Sequence, residues 1–359
     1  MKTRRLHATL WTILLAMTMP VLADEAEDRA AEEARKQEAF RAGFAALVND
    51  LNQQYYTSFV ASIDRDDMLE RIYGLRLVDQ RIKRQFEENL ESSFGPMVES
   101  GAGIARAGIV PVFRAPEGGA KYTILGMESR GDLGRAVVRV DLDDFQFNYQ
   151  VFDLRLDSRE RVVVVDWTDY LAGVTFSESV GRYLVLATPS KNALRKMLDI
   201  TNVSDRELYL FGELLKAARD SNMQRFFQIR DGLEEALRTD PFVVSLNYEI
   251  CRRLGDPARL QGAAGEIAQT FPGDARFSLS LAEYYVQRRR FGEALAEFER
   301  LEESLGHKDG VIESLKATAA MALGEFERAQ ALAVSATEAE PTLELGWWTL
   351  LRTHTAAED

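Results

Sequence analysis

The sequence predicts an α+β unit, three helices and a bent antiparallel sheet, followed by an all-α array built from a repeated helix pair. Three observations carry this. After residue 24, apolar side chains recur at steps of three and four. From about residue 108 to 170 the apolar period changes to two, in short runs divided by turn residues. Beyond Phe176 the helical period returns, and two late segments match at an offset of 35.

The chain opens "MKTRRLHATLWTILLAMTMPVLADEAEDRA". Lys2, Arg4 and Arg5 form a basic start, Ala8 to Leu22 is apolar, and Val21 and Ala23 are small residues spaced as a signal-peptidase site requires. The reading is a signal peptide at residues 1–23 and a periplasmic or secreted mature chain. A retained anchor competes with it, but the apolar run is short for a membrane span and acidic residues follow at once. The residues after Arg4–Arg5 fit a twin-arginine signal poorly, and no cysteine near the cleavage site offers a lipid anchor. No membrane span is expected after cleavage.

Residues 1–23 hold three basic and no acidic residues, so 44 Lys+Arg against 57 Asp+Glu becomes 41 against 57, a net of −16. That surface repels nucleic acid and anionic lipid. A single cysteine, Cys251, allows no internal disulfide and sits in an apolar helical stripe, where it reads as a small buried hydrophobe.

In residues 24–178, the first helix carries i,i+4 pairs Glu25–Arg29 and Glu32–Lys36 and an apolar face of Phe40, Phe44, Leu47, Val48, Leu51, Tyr55 and Phe59. A short second helix is expected near Asp64. The third, with Val78, Ile82, Phe86, Leu90 and Phe94, is expected to stop before Gly95–Pro96. Strands follow at "GIVPVFR", "KYTILGMES", "RAVVRVDL", "FQFNYQVFDLRL" and "RVVVVDWTDY", with turns at Glu117–Gly119, Gly131–Asp132 and Asp157–Ser158. Phe145, Phe147, Tyr149 and Val151 share one face, Phe152, Leu154 and Leu156 the other, which reads as a β-bulge bending that strand. With the closing "VVVVDWTDYLAGVTF", this order resembles the cystatin-like fold of the nuclear transport factor two and SnoaL-like families. That resemblance implies a curved sheet around a long helix, with room for a pocket.

Residues 179–240 read as a junction and a diverged helical pair, and residues 241–359 as repeats. "RRRFGEALAEFERLEESLG" (288–306) aligns with "LGEFERAQALAVSATEAEP" (323–341), with Phe291 over Phe326 and Ala294 over Ala329. Small residues at Ala282, Ala294, Ala317, Ala329 and Ala336, aromatics at Tyr285, Phe298 and Phe326, and closing Pro272 and Pro341 resemble the tetratricopeptide-repeat family. Departures are Gly306 at a closing-proline position, Ala320 and Ala333 where aromatics are usual, and Leu260 at a small-residue position. Trp347 and Leu350 fall in a last half-repeat.

The search for chemistry turns up little. His7 lies in the signal, and His307 and His354 in the array, so the mature α+β unit has no histidine base for nucleophilic catalysis. "GAGIARAG" (101–108) lacks the third glycine of a dinucleotide loop, and Asp141, Asp143 and Asp144 lack the rest of a calcium loop. Arg288–Arg290 reads as a solvated turn, and the sequon at Asn202 carries no weight. Asp153 and Asp166 stand within apolar strands. Facing a cone interior they would be weak acids suited to proton abstraction; otherwise they point outward or pair with Arg135, Arg139 or Arg155.

The expectation is therefore an exported, non-enzymatic interaction protein without cofactor or metal, whose array takes a protein or peptide of the cell envelope. The repeat resemblance implies a concave wall from first-helix residues, here Glu249, Arg252, Arg253, Glu283 and Gln287. The competing expectation is that the α+β unit fills that groove itself. Two further alternatives are a small-molecule or acid–base site at Asp153 or Asp166, and pairing of the acidic helix Asp24–Arg41 with another subunit.

Overall fold

The computed structural model describes residues 3–74, 80–100, 120–142, 147–187, 191, 194, 195, 198 and 203–358. The expected strand "GIVPVFR", the loop "GAGIARAG", Val78, Asp143, Asp144, Phe145 and Asn202 lie outside them. The N-terminal region combines a small antiparallel sheet with helices, and the C-terminal half is helical. Among the described residues no helix is long and apolar enough to cross a membrane.

Among the described residues four helices precede the sheet where three were expected: α1 (Thr3–Asn52), α2 (Tyr56–Ala61), α3 (Arg65–Gly74) and α4 (Gln80–Ser100). α4 does not stop before Gly95 but runs through Pro96. The proline forgoes one ladder bond, while Phe94, Met97 and Val98 around it are buried in the same core and hold the turn. Phe40, Phe44, Val48 and Leu51 on α1 are buried as their spacing predicts, whereas Tyr55 is exposed.

The strands β1 (Lys121–Arg130), β2 (Leu133–Asp141), β3 (Phe147–Leu156), β4 (Val162–Asp169) and β5 (Val174–Thr175) form an antiparallel meander in chain order. Gly131–Asp132 makes the predicted two-residue turn between Arg130 and Leu133. Asp157 closes the next turn by accepting from the backbone N–H groups of Arg159 (2.8 Å) and Arg161 (2.9 Å).

The bulge expected in β3 is absent. β3 pairs with β2 in unbroken register from Arg155 back to Phe147. The register shifts fall on its neighbours, leaving Leu125 of β1 and Val165 of β4 without partners. What changes along β3 is the cover. Phe152, Leu154 and Leu156 pack with α1–α4 on one face, and Tyr149, Val151 and Phe147 pack against the helical half on the other. A sheet covered on both faces reads as two half-stripes of opposite phase, which imitates a bulge.

α5 (Phe176–Ala187) extends the first core, with Phe176, Val180 and Leu184 buried in it. Then come α6 (Asp205–Arg219), α7 (Met223–Asp231) and the single turn α8 (Glu235–Arg238). α6 begins with a capping box, Ser204 bonding the Glu207 backbone and Glu207 reaching back to Ser204. Three helix–turn–helix pairs follow: α9 (Pro241–Leu254) with α10 (Pro257–Thr270), α11 (Ser278–Gln287) with α12 (Phe291–Leu305), and α13 (Gly310–Ala322) with α14 (Phe326–Ala339). α15 (Glu344–Glu358) packs on the last pair. Ala282, Ala294, Ala317, Ala329 and Ala336 are all buried between helices, and Cys251 is buried as expected. Gly306 ends α12 at φ +74°, so a left-handed cap does there what proline does elsewhere.

Candidate functional site

The two halves share a core. Val137, Tyr149, Val151 and Tyr170 of the sheet region bury against Leu279 and Ala282 of α11, Phe298, Leu301 and Leu305 of α12, and Ile312 of α13. Gly126 leaves room for the His307 ring, whose nearest atom lies 2.1 Å from where a Cβ would stand. Arg135 donates to the terminal carbonyls of α12, Ser304 at 2.9 Å and Leu305 at 3.1 Å, where the helix dipole favours a cation.

At the centre of this joint is Arg139, 1% exposed on β2. It bonds Asp309 at the start of α13, Glu340 at the end of α14 (2.7 Å) and Asp141 on its own strand (2.7 Å). Tyr149 donates its hydroxyl to the second oxygen of Asp309. Burial alone would lower the Arg139 pKa, but the three carboxylates more than offset it and hold the guanidinium charged. Burial pushes Tyr149 and Asp309 upward, with Arg139 pulling both back.

The predicted groove residues divide. Glu249 (5% exposed) bonds Arg252 at 3.0 Å, and the charge of Asp169 at the end of β4 acts on Arg252. Asp169 is itself buried, accepting from Asn148 (2.9 Å), Gln150 (3.3 Å) and the backbone of Leu171 (2.9 Å) and Ala172 (2.8 Å). Burial raises its pKa against those donors and Arg252. Glu283 and Gln287 remain exposed on α11, joined by a 3.2 Å hydrogen bond. Neighbouring protein crowds the Glu283 carboxyl enough to raise its pKa. The Arg253 side chain lies outside the described residues.

The predicted pocket residues do not meet in a cavity. Asp153 is half-exposed and pairs with Arg71 at 3.4 Å rather than with Arg135, Arg139 or Arg155. Asp166 is buried, but it accepts from the Ser177 hydroxyl (2.6 Å) and the backbone of Ser177 (3.1 Å) and Trp167 (2.9 Å). It caps a turn instead of facing a ligand. The space between α1 and the sheet is filled by a run of rings: Phe44, Phe59, Phe152, Trp167 and Phe176, with consecutive centroids 4.2 to 6.0 Å apart. A cleft of about 300 Å³ lies instead on α6, where Lys191 is already bound to Asp205 at 2.9 Å. Among the described residues no group of His, Cys, Asp and Glu is arranged to hold a metal ion.

No family model, curated protein or solved structure matches the chain.

The acidic first helix is tied to its own sheet. Glu33 accepts from the Gly131 backbone at 3.0 Å, Lys36 meets Asp132 at 3.0 Å and Arg35 meets Glu160 at 2.7 Å. Arg288–Arg290 is the expected exposed turn, with Arg288 and Arg290 lying over the rings of Tyr284 and Tyr285 at 4.9 and 4.8 Å.

The residues that sequence reasoning missed are Arg139, Tyr149, Asp169 and Asp309. A signal for Asp309 was present. Asp240, Asp274 and Asp309 recur at spacings of 34 and 35, each just before a helix. The first two cap their own helices through Phe242 and Arg276 backbone N–H groups. Asp309 makes no such bond, and its carboxylate serves Arg139 and Tyr149 instead.

Proposed function

We propose that this chain is an exported, periplasmic, non-enzymatic scaffold. It takes a protein or peptide on a tetratricopeptide-like array, along the flank of α11 carrying Glu283 and Gln287. The observation that carries the reading is how the predicted groove residues divide: Glu249 and Arg252 are largely buried, with Asp169 acting on Arg252, while Glu283 and Gln287 on α11 are exposed. Three stacked helix pairs with alanines at the crossings, recurring at 34 to 35 residues, support the tetratricopeptide reading of the array. A helix-wrapped meander supports the cystatin-like reading of the sheet unit, here with its interior filled by aromatic rings. The basic–apolar–small order of residues 1–23 supports export.

An enzymatic reading at Asp153 or Asp166 has less behind it, because each carboxylate is engaged by protein groups.

The test is affinity capture from envelope extract with the full chain, beside a Glu283→Lys/Gln287→Lys variant. A protein retained saturably by the first and lost by the second supports the reading. Retention of no protein, or equal retention by both, goes against it.

A further inference from the structure

α15 carries an outer face that nothing among the described residues covers. Trp347 is 53%, Trp348 61% and Leu351 55% exposed, on a protein whose other large apolar side chains are mostly buried. The Trp347 indole donates to the Pro341 carbonyl at 2.9 Å, which pins that ring as a ledge beside Trp348. Monomeric surfaces rarely group side chains of this size.

The charges on this face have a pattern. Glu344, Trp348 and Arg352 are spaced i, i+4 and i+8, so they form one stripe with the tryptophan in the middle. Both charged residues are exposed, and among the described residues neither side chain has an ion-pair partner. A stripe ordered acid, ring, base is complementary to itself when reversed. If two copies of α15 pack antiparallel about a two-fold axis at Trp348, Glu344 of each meets Arg352 of the other, the indoles stack at the axis, and Leu351 covers the facing Trp347 ledge. A different partner would give no reason for charges placed evenly about one ring.

We infer that α15 is a homodimer contact, isologous and antiparallel, centred on Trp348. The patch is locally neutral, whereas the chain as a whole carries −13 and its copies repel elsewhere. The three apolar side chains offer roughly 300–400 Å² per copy, under half the ~800 Å² of a standard interface, so the dimer forms in the micromolar range. This contact stands apart from the α11 flank and does not depend on the scaffold reading.

The test is sedimentation equilibrium of the full chain, expressed with its own leader, from about 1 to 200 μM. The proposal expects a reversible monomer–dimer equilibrium. Trp348→Glu, Glu344→Arg and Arg352→Glu each weaken it at least ~10-fold at unchanged far-UV circular dichroism, because each sets like charges or a bare carboxylate at the axis. The double variant Glu344→Arg/Arg352→Glu restores the pairing with signs exchanged and returns dimerisation to within a few-fold of wild type. A chain that stays monomeric at every concentration overturns the inference. So does a dimer indifferent to Trp348→Glu, or a double variant no better than either single one.

Discussion

Arg139 and Asp309, 170 residues apart in the chain, form a buried ion pair that fastens the sheet to the helical array. It is not an isolated contact. Glu340 from α14 and Tyr149 from β3 complete the cluster, so four elements from both halves meet at one guanidinium. Around it lies the shared apolar core, and beside it Arg135 crowns the end of α12. A joint of this kind fixes the two halves as one body.

Breaking the cluster from the cation side leaves three carboxylates without their cation, Asp309 fully buried and Glu340 and Asp141 partly so. Arg139→Met is expected to cost about 3–5 kcal/mol, the range for removing one partner of a buried pair. Chemical denaturation followed by circular dichroism measures it. Adding Asp309→Asn and Glu340→Gln to that variant should recover part of the loss, since only the partly exposed Asp141 then keeps an uncompensated charge.

Acid titration should show two opposed contributions. Burial raises the Asp166 pKa above its unfolded value near 3.8, against the Ser177 and Trp167 donors. Between 3.8 and that raised value the folded protein holds the extra proton, so stability falls as pH rises through the window. Asp157 runs the other way. The Arg161 backbone and guanidinium hold it down at about 2, so its contribution is present above 3.8 and lost as pH falls toward 2. In Asp166→Asn the first effect is gone. Its stability relative to wild type should therefore improve as pH rises from about 4 to 7, measured by urea denaturation at each pH. A difference that does not change with pH would contradict the raised pKa.

Gly173 stands at φ +69°, and a Cβ there would lie 2.5 Å from the Phe277 ring. Gly173→Ala should lose about 2–4 kcal/mol through the left-handed backbone and overpacking together. Gly131→Ala shares the positive φ but meets nothing within 4 Å, so it should lose only the backbone part. Melting temperatures of the two variants separate the terms.

The helical half cut out alone, residues 190–359, should behave poorly. It would expose Leu279, Leu305 and Ile312 and strip Asp309 of Arg139 and Tyr149. The expected outcome is aggregation beyond a dimer by light scattering and dye binding to apolar surface well above that of the full chain.

Periodicity was a good guide wherever a segment buries one face. It marked the helix of Phe40, Phe44 and Val48, the four strands from Lys121 onward, the buried alanines between the paired helices and the glycine end of α12. It misled where burial is two-sided or long-range. β3 has apolar side chains on both faces because different helices cover its two ends, and the eye reads that as a bulge. The real bulges, at Leu125 and Val165, sit in strands whose apolar runs conceal a skipped residue. Pro96 misled for a related reason, since tertiary burial of Phe94 and Val98 outweighs one lost backbone bond. Arg139 reads from the sequence as a candidate cross-sheet partner of Asp153 or Asp166, and nothing local says that a carboxylate 170 positions later will bury it. Glu249 and Arg252 are largely buried, and the acid at the end of β4 that acts on Arg252 was invisible in their own segment.

The claim on which the account rests is that sheet and array form one cooperative body closed through the Arg139 joint. Native-state hydrogen exchange at increasing denaturant tests it most directly. The amides of β2 and β3 and those of α12 and α13 should lose protection together, at one free energy of opening. Protection persisting in the sheet after α12 and α13 have opened, or the reverse, would contradict the account.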